Sequence, residues 1–335
     1  MTSPVAPRTV RYRHTLLRAG EFRLDGGSMF GLIPRVVWSR QCQADDRGRI
    51  TVQHNCILLE RLDDPPPGSA LPSPKLALIE VGTGNKLDPK SRDIFALSDR
   101  WIGDALHEVS CRPEDIGAVL PTHLHFDHAG GLTRLALPGE KPDWTGPASS
   151  FGAARGDIAV KLTFPNAAVI TQAREWADAR ANRSLMTRTY FQDHLEPIAG
   201  HVRTISSPPP FAPGLTPDRT ADPLIPQHQR HTEVLPGVFV FLAPGHTWGQ
   251  QAIGFTGADG STCVFTPDVM PTRHHLGQAY SLAYDVEPYT SSVSRHWFLA
   301  AAVRHGWKII LDHEPEHPVF TVSENTKGWF DLAPA

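Results

Sequence analysis

One decapeptide, Thr122-His123-Leu124-His125-Phe126-Asp127-His128-Ala129-Gly130-Gly131, restricts the folds open to this chain more than any other stretch. Four metal-competent side chains are packed between an apolar run, residues 116–120, and a glycine pair. The apolar run reads as a strand. At its end alternate residues share a face, so His123 and His125 point one way. Asp127 and His128 then turn toward a second point nearby. Imidazole and carboxylate together suit Zn²⁺, Fe²⁺ or Mn²⁺, whereas calcium takes oxygen almost exclusively. Three protein ligands with a fourth position open mark a catalytic rather than a structural site. Two ions about 3.5–4 Å apart hold a hydroxide between them and polarise a substrate oxygen. Four side chains are too few for two ions, so the pattern predicts further ligands downstream, each at a strand end.

The chain supplies them. His246 follows the apolar run 238–242 within Ala243-Pro244-Gly245-His246-Thr247, Asp268 follows Phe265-Thr266-Pro267, and His313 follows Ile309-Ile310-Leu311-Asp312. One strand ending in a ligand is weak evidence. Three in succession after His-x-His-x-Asp-His make a site.

The rest of the composition removes alternatives. The net charge of -3 supplies no basic excess for nucleic acid. No apolar run approaches the roughly 20 residues of a membrane span, and the first 20 residues lack a signal-peptide core. Cys42, Cys56, Cys111 and Cys263 are widely spaced with no Cys-x-x-Cys pair, as expected of free thiols in a reducing cytoplasm. The expected partner is a small-molecule substrate, with no nucleic acid and no membrane; a homodimer is allowed.

Residues 1–335 read as a single domain with a leader at 1–20 and insertion loops near 138–156 and 206–232, both rich in proline. Apolar runs at 36–39, 50–59, 75–81, 167–171, 234–243, 251–255, 262–266 and 308–311 read as strands. Residues 101–110, 172–181 and a stretch beginning at Thr290 or Ser291 and ending at Gly306 read as helices. Strands fall into two sets, each followed by helices, so the expected architecture is α+β: two mostly antiparallel or mixed β-sheets face to face, with helices outside. Met29 and Phe30, in the glycine-bearing segment Asp25-Gly26-Gly27-Ser28-Met29-Phe30-Gly31, could wall a pocket for an acyl or aryl group, and Trp248 could line it.

The order of these motifs resembles the metallo-β-lactamase superfamily of metallohydrolases, from about Asp25 to about Pro318. The resemblance implies a four-layer αβ/βα sandwich with the metals at one edge of the two sheets. It implies that His123, His125 and His246 hold one metal, that Asp127, His128 and His313 hold the other, and that Asp268 bridges them. It implies two divalent ions, zinc first, with iron, manganese or cobalt as alternatives. Asp127 or Asp268 would carry the proton during catalysis. Within the superfamily the ligand motifs and the Asp25–Gly31 segment look most like the N-acyl homoserine lactonase branch, the quorum-quenching lactonases and esterases. The implied reaction is hydrolysis of a lactone or carboxylic ester. A phosphotriesterase-like or β-lactam hydrolase, and an iron-dependent sulfur oxygenase, are the alternatives. Two positions depart from the pattern: Glu80 stands where an Asp usually ends the strand, and Pro271 where the lactonases carry a substrate-contacting Tyr. Tyr280 and Tyr284 are the candidates to replace that Tyr.

Overall fold

The computed structural model describes residues 10–148, 156–185, 189–212, 217–218, 223 and 225–335. Residues 1–9 of the expected leader and residues 149–155, 213–216, 219–222 and 224 of the expected insertion loops lie outside these. So do 186–188.

Two long antiparallel strands, Arg11–Asp25 and Arg49–Arg61, form the spine and pair from Tyr12 with Arg61 to Asp25 with Arg49. On the far side of Arg49–Arg61 come Leu76–Ile79, Ala118–Leu120, Ala168–Gln172 and Val202–Ile205, the last three each added in parallel. Parallel neighbours require a crossover, and the helices Ile102–Glu108 and Ala173–Arg180 lie on two of them. The other half holds Thr232–Leu235, Val238–Leu242, Gln251–Gly257, Thr262–Thr266, Lys308–Leu311, Val319–Glu324 and Phe330–Pro334. Helix Pro288–His305 crosses between the parallel pair Thr262–Thr266 and Lys308–Leu311. It stops where Gly306 adopts the left-handed conformation (φ 63°) that lets the backbone turn away.

The two halves share one hydrogen-bonded sheet, joined where Arg11 and Tyr12 pair with Thr256 and Gly257. The side chains nevertheless sort into four layers. Ala77, Ile79, Ala118, Leu120, Phe255, Cys263, Phe265 and Ile310 meet in one central apolar cluster drawn from both halves. Their strand neighbours point outward, Leu78 and Val119 toward Ile102, Leu106 and Ala179, and Val264, Ile309 and Leu311 toward Phe298, Leu299 and Ala302. This period-two alternation gives helix, sheet, sheet, helix. Phe255 is fully buried in the central layer. Phe255→Ala is therefore expected to cost about 3–5 kcal/mol, read as a lowered midpoint in chemical denaturation.

Three local expectations are corrected. Residues 36–39 belong to a short helix, Arg35–Trp38, that turns Trp38 into the core. The 138–156 loop contains the strand Trp144–Pro147, part of a separate three-stranded sheet with Thr133–Leu135 and Asp157–Leu162. The 206–232 segment includes a helical turn, Gln227–Arg230. No helix among the described residues is long and apolar enough to cross a membrane.

Candidate metal centre

Four strand ends converge at one edge of the sandwich. Ala118–Leu120 leads to His123, Val238–Leu242 to His246, Thr262–Thr266 to Asp268 and Lys308–Leu311 to His313. Hydrogen bonds between the halves fix these ends. Gln251 donates from its backbone to the Thr122 carbonyl (2.8 Å) and from its amide to that of Pro121 (2.9 Å). Asn55 donates from its amide to the carbonyls of Leu311 (3.0 Å) and Glu314 (2.8 Å), bracketing Asp312 and His313.

Six of the seven expected ligands fall into two tight clusters there, while Asp127 stands slightly back and Asp312 joins the second cluster. His123 Nε2 and His246 Nε2 each lie 3.0 Å from His125 Nδ1. On the other side, His128 Nε2 is 3.9 Å from Asp127 Oδ1 and 3.6 Å from Asp268 Oδ2, and His313 Nε2 is 3.9 Å from Asp127 Oδ2 and 3.5 Å from Asp268 Oδ1. Asp268 Oδ2 is also 3.4 Å from His246 Nε2, so this carboxylate stands between the groups. Two clusters could hold an ion: His123, His125 and His246, and His128, Asp268, Asp312 and His313.

The outer ring nitrogens show that a cation fits. His246 Nδ1 hydrogen-bonds Asp285 Oδ1 (2.9 Å), His128 Nδ1 faces Asp312 Oδ2 (3.0 Å), and His313 Nδ1 donates to the Gln53 carbonyl (2.9 Å). A carbonyl only accepts, so Nδ1 of His313 carries a proton and Nε2 is the nitrogen turned inward toward a cation. His128 Nε2, His313 Nε2 and Asp268 Oδ1 are buried with no hydrogen-bond partner among the described residues. His125 Nδ1 has one lone pair and cannot accept from two imidazoles at once. Four-coordinate bonds of about 2.0–2.1 Å to one ion would instead place neighbouring nitrogens about 3.3 Å apart, close to what is seen.

The protonation energetics agree. Burial, then the neighbouring imidazoles, push His123 and His125 well below the usual histidine range. Burial acts downward on His128 too, but Glu80, Asp127, Asp312 and Asp268 outweigh it and the ring ends well above that range. Burial opposes ionisation of Asp268, but His313, His128 and His246 hold its carboxyl far below the carboxylate range. The site is built for positive charge, carried by protons or by metal.

Sequence reasoning missed the residues that orient the ligands. Asp285 and Asp312 each face a histidine far from them in sequence, His246 and His128. Glu80, longer than the usual Asp, still reaches: its Oε1 accepts from Thr122 N (2.6 Å) and its Oε2 lies 3.4 Å from His128 Nδ1. It does so from a left-handed backbone (φ 62°) that side-chain-bearing residues seldom adopt.

A cavity of about 470 Å³ opens from the clusters. His125, Asp127, His246, Asp268 and His313 form its floor, and Leu24, Met29, Leu87, Ile94, Phe95, Phe126 and Phe191 form an apolar wall. Met29 and Tyr284 line it as the sequence suggested. Phe30, Trp248 and Tyr280 do not. Phe30 is fully buried, stacked on Trp38 (5.2 Å) and His275 (5.1 Å). Tyr280 packs edge-on against Phe30 (5.9 Å). Trp248 donates to Glu287 and lies under Arg174, away from the cavity. Pro271 uses its carbonyl to accept from His313 N (3.0 Å).

Fold and clusters together define a metal-dependent hydrolase. Residues 51–313 match the family model of the metallo-beta-lactamase superfamily, and the chain belongs to that superfamily. No curated protein sequence matches it. Among solved structures, it is similar to a probable metal-dependent hydrolase from Staphylococcus aureus (22% identity, 98% of this chain and 99% of that one, TM-score 0.72). It also resembles the hydrolase AbOPH in the beta lactamase superfamily (18% identity, 99% of each chain, TM-score 0.64). A third is AidC, a dizinc quorum-quenching lactonase in complex with a homoserine product (15% identity, 98% of each chain, TM-score 0.63). At these identities the likeness is one of fold.

Proposed function

We propose that this protein hydrolyses a lactone or a carboxylic ester with an apolar acyl or aryl group, using two divalent metal ions, zinc first. The observation that carries this reading is the juxtaposition of two cation-ready clusters, with Asp268 of one 3.4 Å from His246 of the other, and an apolar cavity of about 470 Å³, a size suited to small-molecule ligands. His123, His125 and His246 would hold one ion and Asp127, His128 and His313 the other, with Asp268 between. When bound, such ions lower the pKa of water toward neutrality and polarise a carbonyl.

The chain's own residues do the rest. Asp268 lies 3.4 to 3.6 Å from three imidazoles, whereas Asp127, also on the cavity floor, stands 3.9 Å from two; Asp127 is the less tightly held carboxylate and the one to move a proton. Water adds to the carbonyl carbon, the bond to the ring or ester oxygen breaks, and the proton passes through an Asp127 oxygen to the departing alkoxide. Tyr284 replaces the missing Tyr at Pro271. Burial pushes its hydroxyl well above the usual range, so it stays a hydrogen-bond donor for a substrate carbonyl. The wall around Met29, Phe126 and Phe191 excludes water and takes the apolar group. The partner is then a small molecule and the compartment the cytoplasm, in keeping with four cysteines that all remain free thiols. The assembly we propose is a monomer or a homodimer.

The test is a panel of lactones, aryl esters, phosphotriesters and β-lactams, assayed after reconstitution with Zn, Mn, Fe or Co. Lactones or esters are expected to turn over fastest, with about two metals per chain. Faster turnover of phosphotriesters or β-lactams, or full activity with a single iron, would overturn the assignment. Tyr284→Phe is expected to lower kcat/KM about tenfold, in line with the loss of one hydrogen bond to a charged or polarised group, while leaving metal content unchanged.

A further inference from the structure

One buried carboxylate touches every loop that carries the three-imidazole cluster, although it lies far from them in sequence. Glu175 is in the first turn of helix Ala173–Arg180 and is fully buried. Its Oε1 accepts from the backbone N–H of Leu124 (3.0 Å), the residue between His123 and His125. The same oxygen accepts from the hydroxyl of Tyr190 (3.0 Å), whose ring packs 5.0 Å from that of His125. Its Oε2 accepts from the hydroxyl of Thr247 (2.6 Å), next to His246. Contact on the backbone side is equally close: a Cβ on Gly249 would come within 2.3 Å of Glu175 N. Among the described residues this carboxylate forms no ion pair with a lysine or arginine; burial pushes its pKa up, and its hydrogen bonds and the nearby His246 act in the opposite direction. An unpaired buried carboxylate is costly, and a cation held by the three imidazoles would offset that cost.

Building on the two-metal reading above, we infer that Glu175 is the positioning residue of the three-histidine site. It locks the His123–His125 loop and the His246 loop into one geometry and adds a negative charge behind them. His128 and His313 take their orientation from Asp312 and Gln53, and neither touches Glu175. Loss of the carboxylate therefore acts on one metal equivalent and spares the other.

The experiment is Co²⁺ titration of chelator-treated wild type and Glu175→Gln, followed by visible absorption and by metal content after dialysis. Gln keeps the shape and one acceptor but removes the charge. The expected result is a melting temperature of the metal-free variant close to that of metal-free wild type, one equivalent weakened by at least about tenfold, as for other partners behind metal ligands, an altered spectrum for that equivalent, and a second equivalent bound as in wild type. Should the Gln variant lack a cooperative melt, Thr247→Val, which removes only the Oε2 partner, takes its place with the same site-selective expectation. Equal affinity of both equivalents in wild type and variant would overturn the inference and leave the two-metal reading standing. A wild type that binds no Co²⁺ would overturn both.

Discussion

Asp268→Asn is expected to leave a folded protein that retains at most one tightly bound metal and loses more than about a hundredfold in hydrolysis, beyond the usual cost of an outer partner. The amide keeps the shape but not the charge, and among the described residues Asp268 is the one carboxylate that faces His246, His128 and His313 together. Metal content by elemental analysis and turnover on the best lactone or ester should fall in step. Combining it with His125→Ala should abolish both. Full hydrolysis by a metal-depleted double variant would show that the reaction runs elsewhere.

The second large effect is on stability against pH. Burial, reinforced by neighbouring imidazoles, holds His123 and His125 well below 6.5. Between that lowered value and 6.5 the unfolded chain binds more protons than the folded one, so their contribution is lost as pH falls below 6.5. His128, His246 and His313 behave oppositely. Burial lowers each, but the facing carboxylates win and raise them above 6.5. Their contribution is complete below 6.5 and is lost as pH rises through the raised values, at about 1.4 kcal/mol per pKa unit. The chelated protein should therefore melt highest near about pH 6.5 and lower on either side. In protein reconstituted with zinc the metal would take the place of those protons, so that form should hold its melting temperature toward about pH 9, with the gap between the two forms widening. A chelated protein that grows steadily more stable above pH 6.5 would contradict this arrangement of charges.

What could be read from the sequence follows from where the information lies. His123 to His128, His246, Asp268 and His313 each end an apolar run, and the strand and the polar residue closing it are local signals. The layers were legible from the two sets of strands each followed by helices, although in Ala77-Leu78-Ile79 both faces are apolar and only the structure separates them. Asp285, Asp312 and Glu80 act on histidines brought to them by strand pairing, so nothing in their own neighbourhood announces the contact. Phe30, Tyr280 and Trp248 show the converse limit. An aromatic in a glycine-bearing loop looks the same whether it walls a cavity or plugs the space behind one, and here Met29 does the first and Phe30 the second. The small strand Trp144–Pro147 escaped because its glycine and proline read as turn residues, although an edge strand accommodates them.

The sharing of the site between the two halves of the sandwich bears on the folding reaction itself. Neither half owns a complete ligand set: His123, His125, Asp127 and His128 come from one, and His246, Asp268 and His313 from the other. A partly folded chain with only one half formed offers a divalent ion at most two of the three imidazoles of the first cluster, and leaves the second without either His128 or its partners Asp268, Asp312 and His313. Metal capture is then a late event that follows docking of the second half, and the bound ions act as a latch on the finished molecule. In stopped-flow refolding, uptake of metal should lag the burial of tryptophan, and its rate should report the docking step.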